Sequence, residues 1–485
     1  MSEKKLQAIV LAAGRSSRFN TDKSKLAEII CGQEMILYAT TLLEKLNIPT
    51  TVVVGYARDI IQNVITKRHG SAINFVVQHE QKGTGHALLC TQELWQNDHI
   101  LIINGDMPLI TADTIEQLTQ KHLESNASIT FVTAHNSDPS LSGYGRVIQE
   151  DHKIRIIEQK EFHGDTHEHC CINAGIYLFK TEFLRASIEK IERSAITQEF
   201  YLTDLIKIAS DNELIVKTVN APFDTIRGVN NFKELWSVEQ IKRSELITHW
   251  MERGVRFYAA QTVHVDLNVI IGAGTYISNG VHIINGSQVG SDCHIEQFSL
   301  LNNAKIANNV TIRSHSIINN STIEDSCQIG PFAHIEGNSF IQRNTIIGNF
   351  VQVKKSTLGI NTKAKHLSFL GNATIGDNVN IGAGTITCNY DGINKNQTII
   401  KNNTFIGSNN TLVAPVTLEE NSYTAAGSVI THNVPQEALA IGRARQINKE
   451  GYTKKLKLKA QHNSQTTNSP YLAATKTDST IVEGT

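Results

Sequence analysis

Two hydrophobic periods divide the chain, and the change falls near residue 255. Before that point, short apolar runs rich in Val and Ile alternate with segments whose apolar spacing suits helices. The expected strands are Leu6–Ala13, Thr51–Gly55, Ile73–Gln78, Ile100–Asn104 and Ser128–Ala134, and the expected helices include Met35–Leu46 and Thr84–Gln96. Because strands alternate with helices, residues 1–230 are expected to form a Rossmann-like α/β domain around a mostly parallel sheet.

After residue 264 an aliphatic residue, once replaced by Thr, recurs every six positions in several frames. The repeated positions are Val265, Ile271, Ile277, Ile283, Val289, Ile295 and Leu301; Ile306, Ile312 and Ile318; Ile323, Ile329, Ile335, Ile341, Ile347 and Val353; Ile375 and Ile381; and Ile400, Ile406, Leu412, Leu418, Thr424 and Ile430. A period of six suits neither an α-helix nor a lone amphipathic strand. It predicts a triangular parallel β-helix over residues 255–447, with one aliphatic side chain pointing inward from each face. The left hand of the coil does not follow from this spacing and comes from a resemblance to hexapeptide-repeat proteins.

Three further segments depart from these two patterns. Residues 231–254 have the apolar spacing of a helix and are expected to form one linker helix. Residues 388–398 interrupt the period of six, so an insertion there is expected to loop out of the coil, where loops often carry function. Residues 448–485 begin with a basic stretch and then become rich in Ser, Thr and Asn, which predicts a disordered tail.

The composition of the 485 residues narrows the class of protein. The formal net charge is −1, which points away from nucleic acid and anionic membranes as bulk partners. No apolar stretch is long enough to span a membrane, and the apolar run near the N-terminus is interpreted as a buried strand, not as a signal peptide. The seven cysteines include no CxxC pair, which favours reduced thiols in a cytoplasmic protein.

Three segments of the first domain have residues suited to nucleotide chemistry. The small-residue loop at 11–18 follows the first strand, where backbone N–H groups can approach phosphates and Arg18 adds a cation; a plain tight turn is the alternative. Asp106 follows a strand and lies at the edge where α/β sheets bind ligands, so it could hold Mg²⁺ or merely cap a helix. Gln78 and the glycines from Gly83 onward could recognise a flat base or form an ordinary strand-to-helix loop.

The order and spacing of these segments resemble the sugar nucleotidyltransferase family. The matching motifs are QHEQKGTGHA at Gln78–Ala87, NGDMPL at Asn104–Leu109, GYGRV at Gly143–Val147 and GVNN at Gly228–Asn231. With the β-helix behind it, the chain to about residue 447 resembles the bacterial enzymes that combine N-acetylglucosamine-1-phosphate uridyltransferase with glucosamine-1-phosphate N-acetyltransferase. This resemblance implies a homotrimer that makes UDP-N-acetylglucosamine from UTP, N-acetylglucosamine-1-phosphate, glucosamine-1-phosphate and acetyl-CoA.

The resemblance also implies roles for residues of the first domain. Arg18 and Lys25 would act on the UTP phosphates, and Asp106 and Asn230 would bind Mg²⁺, while the sugar phosphate attacks the α-phosphorus in line. The nucleotide and the sugar would be held by Leu11, Ala12, Ala13, Gly14, Gln78, Gly83, Thr84, Asn104, Gly105, Gly145, Glu158, Asn173 and Asn230. The chain has Ser16, Ser17 and Ser24 where the family usually has Gly, Thr and Pro, and activity is expected to survive these small, phosphate-compatible changes.

In the second domain the resemblance implies that His366 is the base of the acetyl transfer, although a lone His in a repeat is otherwise more often structural. The acceptor sugar phosphate would lie against Lys354, Asn380, Lys395, Glu336 and Phe369. Acetyl-CoA would be held by Ala383, Asn389, Tyr390, Ser408, Ala426 and Arg443.

Two departures lie on the acceptor side of this second site. Glu336 stands where the family has a phosphate-binding Arg, and Phe369 stands where it has a Tyr hydroxyl. We therefore hypothesise that acetyl-CoA still binds, and that the acceptor is held weakly or differs from glucosamine-1-phosphate. Glu336 could instead pair with Lys354, with Lys395 or with the amine of the acceptor.

Other functions remain open from the sequence. The β-helix could be a diverged acetyltransferase or a scaffold for oligomerisation. The chain could also be a non-catalytic regulatory or assembly protein, since similar domain pairs occur in exchange-factor subunits of eukaryotic translation initiation. Against this alternative, a scaffold does not need the polar and charged set Arg18, Lys25, Asp106 and Asn230. A cluster of residues that could be zinc ligands comprises His163, His167, His169, Cys170 and Cys171. A polar loop between strands is the favoured interpretation of this segment, and the family resemblance does not imply a metal there.

Overall fold

The computed structural model describes residues 6–15, 17–19, 23–135, 143–150, 153–162 and 170–466. The strands of the first domain are β1 (Leu6–Ala12), β2 (Thr50–Val54), β3 (Asn74–Val77), β4 (His99–Asn104), β5 (Ile129–His135), β6 (Arg146–Glu150), β7 (Lys153–Ile157), β8 (Cys171–Lys180) and β9 (Val216–Asn220). Its helices are α1 (Met35–Lys45), α2 (Arg58–His69), α3 (Thr84–Leu89), α4 (Ala112–Glu124), α5 (Thr181–Ser187) and α6 (Asp204–Asp211). A short antiparallel pair joins Ile29–Ile30 to Gln33–Glu34.

These strands form one sheet in the order β9-β5-β8-β4-β1-β2-β3, and the hairpin β6-β7 attaches through β8. The pairs of β1 with β2 and β4, of β2 with β3 and of β5 with β9 are parallel, whereas β8 runs antiparallel to both of its neighbours. Successive residues of β1 alternate between two hydrophobic cores, with Val10 on one side of the sheet and Ile9 on the other. The expected α/β class with a mostly parallel sheet is confirmed.

The helix expected over Thr84–Gln96 is shorter than the sequence predicts. It ends at Leu89, and a single 3₁₀ turn follows at Gln92–Leu94. The hydroxyl of Thr91 donates to the Leu88 carbonyl and accepts from the Trp95 indole, at 2.7 and 2.9 Å. Such local side-chain hydrogen bonds compete with the helical pattern and end the helix early.

The second domain is a left-handed parallel β-helix, as predicted. The first face consists of Arg256–Phe257, Tyr276–Ile277, His294–Ile295, Thr311–Ile312, Gln328–Ile329, Asn380–Ile381, Phe405–Ile406, Tyr423–Thr424 and Leu439–Ala440. The second face consists of His264–Val265, His282–Ile284, Leu300–Asn302, Ile317–Asn319, His334–Glu336, Ile386–Cys388, Thr411–Val413 and Val429–Ile430. Two long strands, Ile346–Lys354 and Lys363–Gly371, run over both of these faces. The third face consists of Ile270–Ile271, Gln288–Val289, Lys305–Ile306, Thr322–Ile323, Phe340–Ile341, Thr357–Leu358, Ala373–Ile375, Thr398–Ile400 and Val416–Leu418.

The spacing of the coils explains the period of six. Ile271 pairs with Val289, and Val289 pairs with Ile306, so two successive coils contain 18 and 17 residues. Each coil passes three faces, which leaves about six residues for each face. All the aliphatic positions that define the period are buried. The expected insertion appears as a coil of 25 residues, because Ile375 pairs with Ile400.

Asparagine makes many of the corners between faces. Asn285, Asn303, Asn320 and Asn361 are among the corner residues with positive φ, a conformation that Asn tolerates better than most residues. Their amides also bond from coil to coil, as from Asn303 to Asn320 at 2.7 Å. The corners are therefore specified by sequence as clearly as the faces.

Helix α7 (Phe232–Glu252) connects the domains, and the first coil contacts the first domain where the Leu267 N–H donates to the Cys31 carbonyl at 2.9 Å. After the last coil, the basic part of the tail that we expected to be disordered forms helix α8 (Tyr452–Thr466), and the rest of that tail, from residue 467 to 485, lies outside the described residues. Its first turns are rich in Lys and Leu, which favour helix strongly enough to override the polar composition. The predicted boundaries at residues 230, 254 and 447 stay predictions.

Across the described residues, none of the helices combines the length and the apolar character that crossing a membrane requires.

Candidate active sites

The carboxyl ends of β1, β2 and β4 meet at one edge of the sheet. Leu11 pairs with Val53 on one side and with Asn104 on the other. The Gly105 N–H donates to the Leu11 carbonyl at 2.9 Å, which ties the loop after β4 to the end of β1. A Cβ built on Gly14 would meet nothing within 4 Å, so the backbone that follows Leu11, Ala12 and Ala13 faces open space. A phosphate could approach this backbone directly.

Four charged or polar side chains that are distant in sequence meet at this edge. The Lys25 ammonium lies 2.5 Å from Asp106 Oδ2 and 3.2 Å from Asn230 Oδ1. Arg18 Nη2 donates to the same Asn230 oxygen at 3.0 Å. The Lys25 and Asp106 side chains are only 17 % and 19 % exposed, so their interaction is partly shielded from water. The structure thus brings together the predicted phosphate-binding and metal-binding residues.

The side-chain oxygens at this position suit a divalent cation. The Asp106 carboxylate and the Asn230 amide oxygen both face the Lys25 ammonium, so a cation already lies between two oxygen atoms. Carboxylate and amide oxygens are the ligands that Mg²⁺ prefers in proteins. The residues present therefore fit the metal that the sequence predicts.

The start of helix α7 holds Asn230 in place. The Asn231 side chain accepts from the Glu234 N–H at 2.9 Å, and the Glu234 carboxylate accepts from the Asn230 N–H at 2.6 Å. The neighbouring Val229 N–H donates to the Asp106 carbonyl at 3.0 Å. Sequence reasoning missed Glu234, although Asn followed three residues later by Glu is the spacing of a capping box.

The predicted base-binding residues lie beside this edge, after β3. Gln78 Nε2 donates to the Gly83 carbonyl at 3.1 Å and contacts His86 Nδ1 at 3.0 Å. Gly83 has φ +107°, and a Cβ there would collide with the Phe200 backbone. Thr84 Oγ1 accepts from the Leu202 N–H at 3.0 Å. The Gln78 and Thr84 side chains therefore hold the loop in shape, and Gly83 is required by close backbone contact.

The predicted sugar-binding residues form a second group. The Asn173 N–H donates to the Gly145 carbonyl at 2.9 Å, and Glu158 lies beside Gly145. Burial raises the pKa of Glu158, although a 2.8 Å hydrogen bond from the Thr203 hydroxyl partly offsets this effect. Sequence reasoning missed Thr203, and nothing in its local sequence marks it.

Two contacts connect the sugar group to the cation group. The Asn104 amide packs against Gly175, two residues beyond Asn173. The Tyr144 hydroxyl accepts from the Gly228 N–H at 2.9 Å, in the segment that leads to Asn230. Tyr144 belongs to the GYGRV motif but was not singled out from the sequence. Both groups therefore face the same edge of the sheet.

In the β-helix, the corner between the first and second faces carries His366 and three of the predicted acetyl-CoA residues. Ala383, Ser408 and Ala426 occupy this corner on the next three coils. The contacts that hold it are Gly384 N–H to Leu367 carbonyl at 2.9 Å, Asn409 N–H to Ala383 carbonyl at 2.6 Å, Gly427 N–H to Ser408 carbonyl at 2.8 Å and Arg443 Nη1 to Ala426 carbonyl at 2.9 Å. The corner is thus a straight column that leads from His366 to Arg443.

His366 is held by a residue that sequence reasoning missed. Its Nδ1 lies 2.9 Å from Asn349 Oδ1, on the preceding coil. An amide oxygen can only accept, so this contact requires a proton on Nδ1 and leaves the Nε2 lone pair available as a base. No simple sequence signal identifies Asn349, because it lies one coil away at an ordinary repeat position.

Glu336 and Lys354 lie next to each other on the second face. The Lys354 ammonium is 3.1 Å from Glu336 Oε1, and Gln352 Nε2 donates to the same oxygen at 2.9 Å. Burial is the largest single influence and works against ionisation, but the two hydrogen bonds together with the charges of His334 and Lys354 outweigh it and lower the pKa of Glu336. The pairing with Lys354 that the sequence left open is thus present, and Glu336 is a carboxylate at neutral pH.

The remaining acceptor and acetyl-CoA candidates are spread around this position. The Phe369 ring covers Gly371, and the Asn389 amide approaches the same glycine. Tyr390 and Lys395 pair across the insertion, whose backbone folds back on itself. Asn380 lies on the first face, whereas Glu336 and Lys354 lie on the second. Within one chain, the predicted acceptor residues are therefore divided by the corner.

The possible zinc cluster cannot be described as a whole, because His163, His167 and His169 lie outside the described residues. Within the part that is described, no three His, Cys, Asp or Glu side chains come close enough to hold a metal ion.

Three family profiles match parts of the chain. They are the MobA-like NTP transferase domain at residues 8–176, the GMPPB C-terminal domain at 260–341 and the hexapeptide repeat of succinyl-transferase at 397–432. A bifunctional GlmU protein from Koribacter versatilis is 37 % identical over 465 residues, covering 94 % of this chain and 98 % of its own. One from Thermosipho melanesiensis is 41 % identical over 448 residues, covering 92 % and 97 %.

The chain belongs to the GlmU family. Like the bifunctional GlmU proteins it matches, it joins a nucleotidyltransferase domain to a hexapeptide-repeat acetyltransferase domain, and it is an enzyme with both activities. A structure from Bacillus anthracis, provisionally named a glucose-1-phosphate thymidylyltransferase, covers 49 % of this chain and 95 % of that chain at 20 % identity. Its TM-score of 0.41 is too low to carry an argument. The full-length match to GlmU proteins does not favour a β-helix that is only a scaffold.

Proposed function

We propose that this GlmU-family chain makes UDP-N-acetylglucosamine in two reactions. The β-helix transfers the acetyl group of acetyl-CoA to glucosamine-1-phosphate. The first domain then transfers the uridylyl group of UTP to N-acetylglucosamine-1-phosphate and releases pyrophosphate. The observation that carries this proposal is the meeting of Arg18, Lys25, Asp106 and Asn230 within hydrogen-bonding distance at the edge of the sheet.

In the uridylyl transfer, positioning and charge neutralisation supply the rate. The backbone after Leu11 and the cations Arg18 and Lys25 bind and orient the triphosphate, while Gln78, Gly83 and Thr84 shape the base pocket. Mg²⁺, held by Asp106 and Asn230, would neutralise charge on the phosphate oxygens. Glu158 and Asn173 hold the sugar so that its phosphate faces the α-phosphorus of UTP.

In the acetyl transfer, His366 Nε2 takes a proton from the ammonium of the amino sugar. The amine nitrogen then forms a bond to the thioester carbon, the carbon–sulfur bond breaks, and the leaving CoA sulfur accepts the second proton, which the nitrogen loses as the amide forms. Asn349 supports this step because it holds the proton on Nδ1 and keeps Nε2 free. Lys354, Asn380 and Lys395 bind the sugar phosphate, and the corner that follows His366 binds acetyl-CoA.

We further propose that the protein is a cytoplasmic homotrimer whose copies meet along this corner. Upstream of His366 the corner carries a stacked column of rings, Phe298, His315, Phe332 and Phe350, with centroids 4.9–5.3 Å apart. The three phenylalanines are 47–55 % exposed and all four residues have positive φ, which is unfavourable for bulky side chains. Burial against other copies would offset this cost and bring divided acceptor residues into one site.

Assays of the purified full chain test these proposals. Pyrophosphate release with UTP and N-acetylglucosamine-1-phosphate reports the first domain, and thiol release with acetyl-CoA and glucosamine-1-phosphate reports the β-helix. We expect turnover in both assays, and absence of either product would refute that half. Light scattering should give three times the chain mass, and Phe332→Asp should lower it, whereas Phe405→Asp on the first face should not.

A further inference from the structure

We infer that Tyr177 is a positioning residue for the sugar phosphate in the uridylyl transfer, because it fixes the orientation of the Asn173 amide. This inference rests on the proposed function of the first domain. Asn173 Nδ2 lies 2.6 Å from the Tyr177 hydroxyl oxygen, and both side chains are almost fully buried. Nothing in the sequence around Tyr177 suggests a role in the site.

The path of strand β8 makes this contact possible. In a regular strand, residues four apart are separated by about 13 Å, too far for a side-chain hydrogen bond. Here Asn173 pairs with Thr133 while Tyr177 pairs with Phe131, so four steps on β8 correspond to two on β5. The resulting bulge shortens the distance and turns both side chains toward each other. Bulges of this kind often direct a side chain into a site.

Gly175, at the centre of the bulge, distinguishes the oxygen of the Asn173 amide from its nitrogen. Its N–H donates to Asn173 Oδ1 at 3.1 Å, so the carbonyl end of the amide must face the backbone. The nitrogen end then faces Tyr177. Gly175 has φ +77°, and a Cβ there would collide with the Asn104 amide, so both the conformation and the packing require glycine.

Tyr177 is itself rigidly held. Its ring lies between Phe131 and Phe179, with centroids 6.4 and 5.9 Å away. Burial, and next the negative charge of Glu158, raise the pKa of Tyr177, so the hydroxyl stays protonated at neutral pH. Its oxygen can accept one Asn173 N–H and leaves the second N–H for the sugar phosphate. Tyr177 therefore contacts one predicted sugar-binding side chain, Asn173, and feels the charge of another, Glu158.

The test is Tyr177→Phe, which removes one oxygen atom and keeps the ring. We expect the KM for N-acetylglucosamine-1-phosphate to rise about two- to tenfold, the value of one buried hydrogen bond. The kcat and the KM for UTP should change by less than about twofold. The unchanged KM for UTP would also show that the domain is folded. The matched control is Tyr38→Phe, which removes a buried hydroxyl that donates to the Ile30 carbonyl at 2.6 Å.

A double-mutant cycle separates positioning from a general loss of stability. In an Asn173→Ala background, Tyr177→Phe should raise the KM no further, because the amide it positions is gone. An additive effect, equal changes in both KM values, or an effect matched by Tyr38→Phe would overturn the role of Tyr177. Turnover by the wild-type chain with an unchanged KM in Tyr177→Phe would overturn this inference alone. A wild-type chain that releases no pyrophosphate would overturn the proposed function and this inference with it.

Discussion

Each of the two candidate sites holds a lysine against a carboxylate, but the two pairs have different surroundings. Lys25 lies 2.5 Å from Asp106 and also contacts the Asn230 oxygen, so two acceptor oxygens face the ammonium. Lys354 lies 3.1 Å from Glu336, which is also held by the Gln352 amide, so two donors surround the carboxylate. The oxygens of the first pair have the chemistry of cation ligands, whereas the carboxylate of the second pair already accepts two hydrogen bonds from the protein.

This difference predicts how each lysine becomes available to a phosphate. In the first domain a divalent cation held by Asp106 and Asn230 would take the place of the Lys25 ammonium, which would then face the phosphates. In the β-helix no such exchange helps, because the incoming sugar phosphate must itself compete with Glu336 for Lys354. We therefore expect normal phosphate handling in the first domain and weak acceptor binding in the second.

The largest expected effect separates the two chemistries. His366→Asn should lower acetyl transfer about 10²- to 10⁴-fold, because it removes the proposed general base, and should leave uridylyl transfer unchanged. Thiol release and pyrophosphate release from the same preparation measure both. Loss of both activities would mean that the two halves are not independent.

The reciprocal change is Asp106→Asn. It removes the carboxylate that faces Lys25 and should lower pyrophosphate release about 10²- to 10³-fold, the usual cost of losing one electrostatic contact to a transition state. Acetyl transfer should continue at the wild-type rate. A drop of less than about tenfold, within the range of a single lost hydrogen bond, would argue against Asp106 as the metal ligand.

Glu336→Gln tests the second pair directly. Removing the negative charge frees Lys354, so the KM for glucosamine-1-phosphate should fall about three- to tenfold, with little change in the KM for acetyl-CoA. The control is Glu324→Gln, another β-helix carboxylate, which accepts from the Arg343 N–H at 3.0 Å. An increased KM in Glu336→Gln would show that Glu336 binds the acceptor instead of opposing it.

Lys25→Met tests the first pair without measuring activity. If the ammonium occupies the metal position, its removal should tighten Mn²⁺ binding about threefold in the absence of nucleotide, as followed by electron paramagnetic resonance. Lys82→Met, which removes the partner of Glu80, should have no effect. Weaker Mn²⁺ binding in Lys25→Met would contradict the exchange of cations.

The two regions also differ in how much could be predicted from sequence. The period from Val265 to Ile430 defines the faces of the β-helix, because every coil repeats the same burial pattern. In the first domain, five of the nine strands of the main sheet were predicted to within one residue, but β6, β7, β8 and β9 were not predicted, and neither was the antiparallel direction of β8. Direction depends on how distant segments pack, which a local pattern of apolar residues does not contain.

The sites show the same limit. Motifs identified Asp106, Gln78 and His366, since these residues fall in recognisable stretches of sequence. The residues that hold them, such as Thr203 and Asn349, come from other strands or coils and carry no local signal. In the basic part of the tail, the composition suggested disorder, but the structure has helix α8 because its Lys and Leu residues favour helix.

The corner that begins at His366 has a fixed length. Adjacent strands are about 4.8 Å apart, so the three steps from His366 to Ala426 measure about 14 Å along the axis. That length is fixed by backbone hydrogen bonds and not by flexible side chains, so a ligand must be long and narrow to reach both ends. Removing one whole coil between Ala383 and Ala426 would shorten the corner by one strand spacing, so a ligand that reaches both ends would no longer fit. The repeat should stay folded, because each coil contacts only its neighbours.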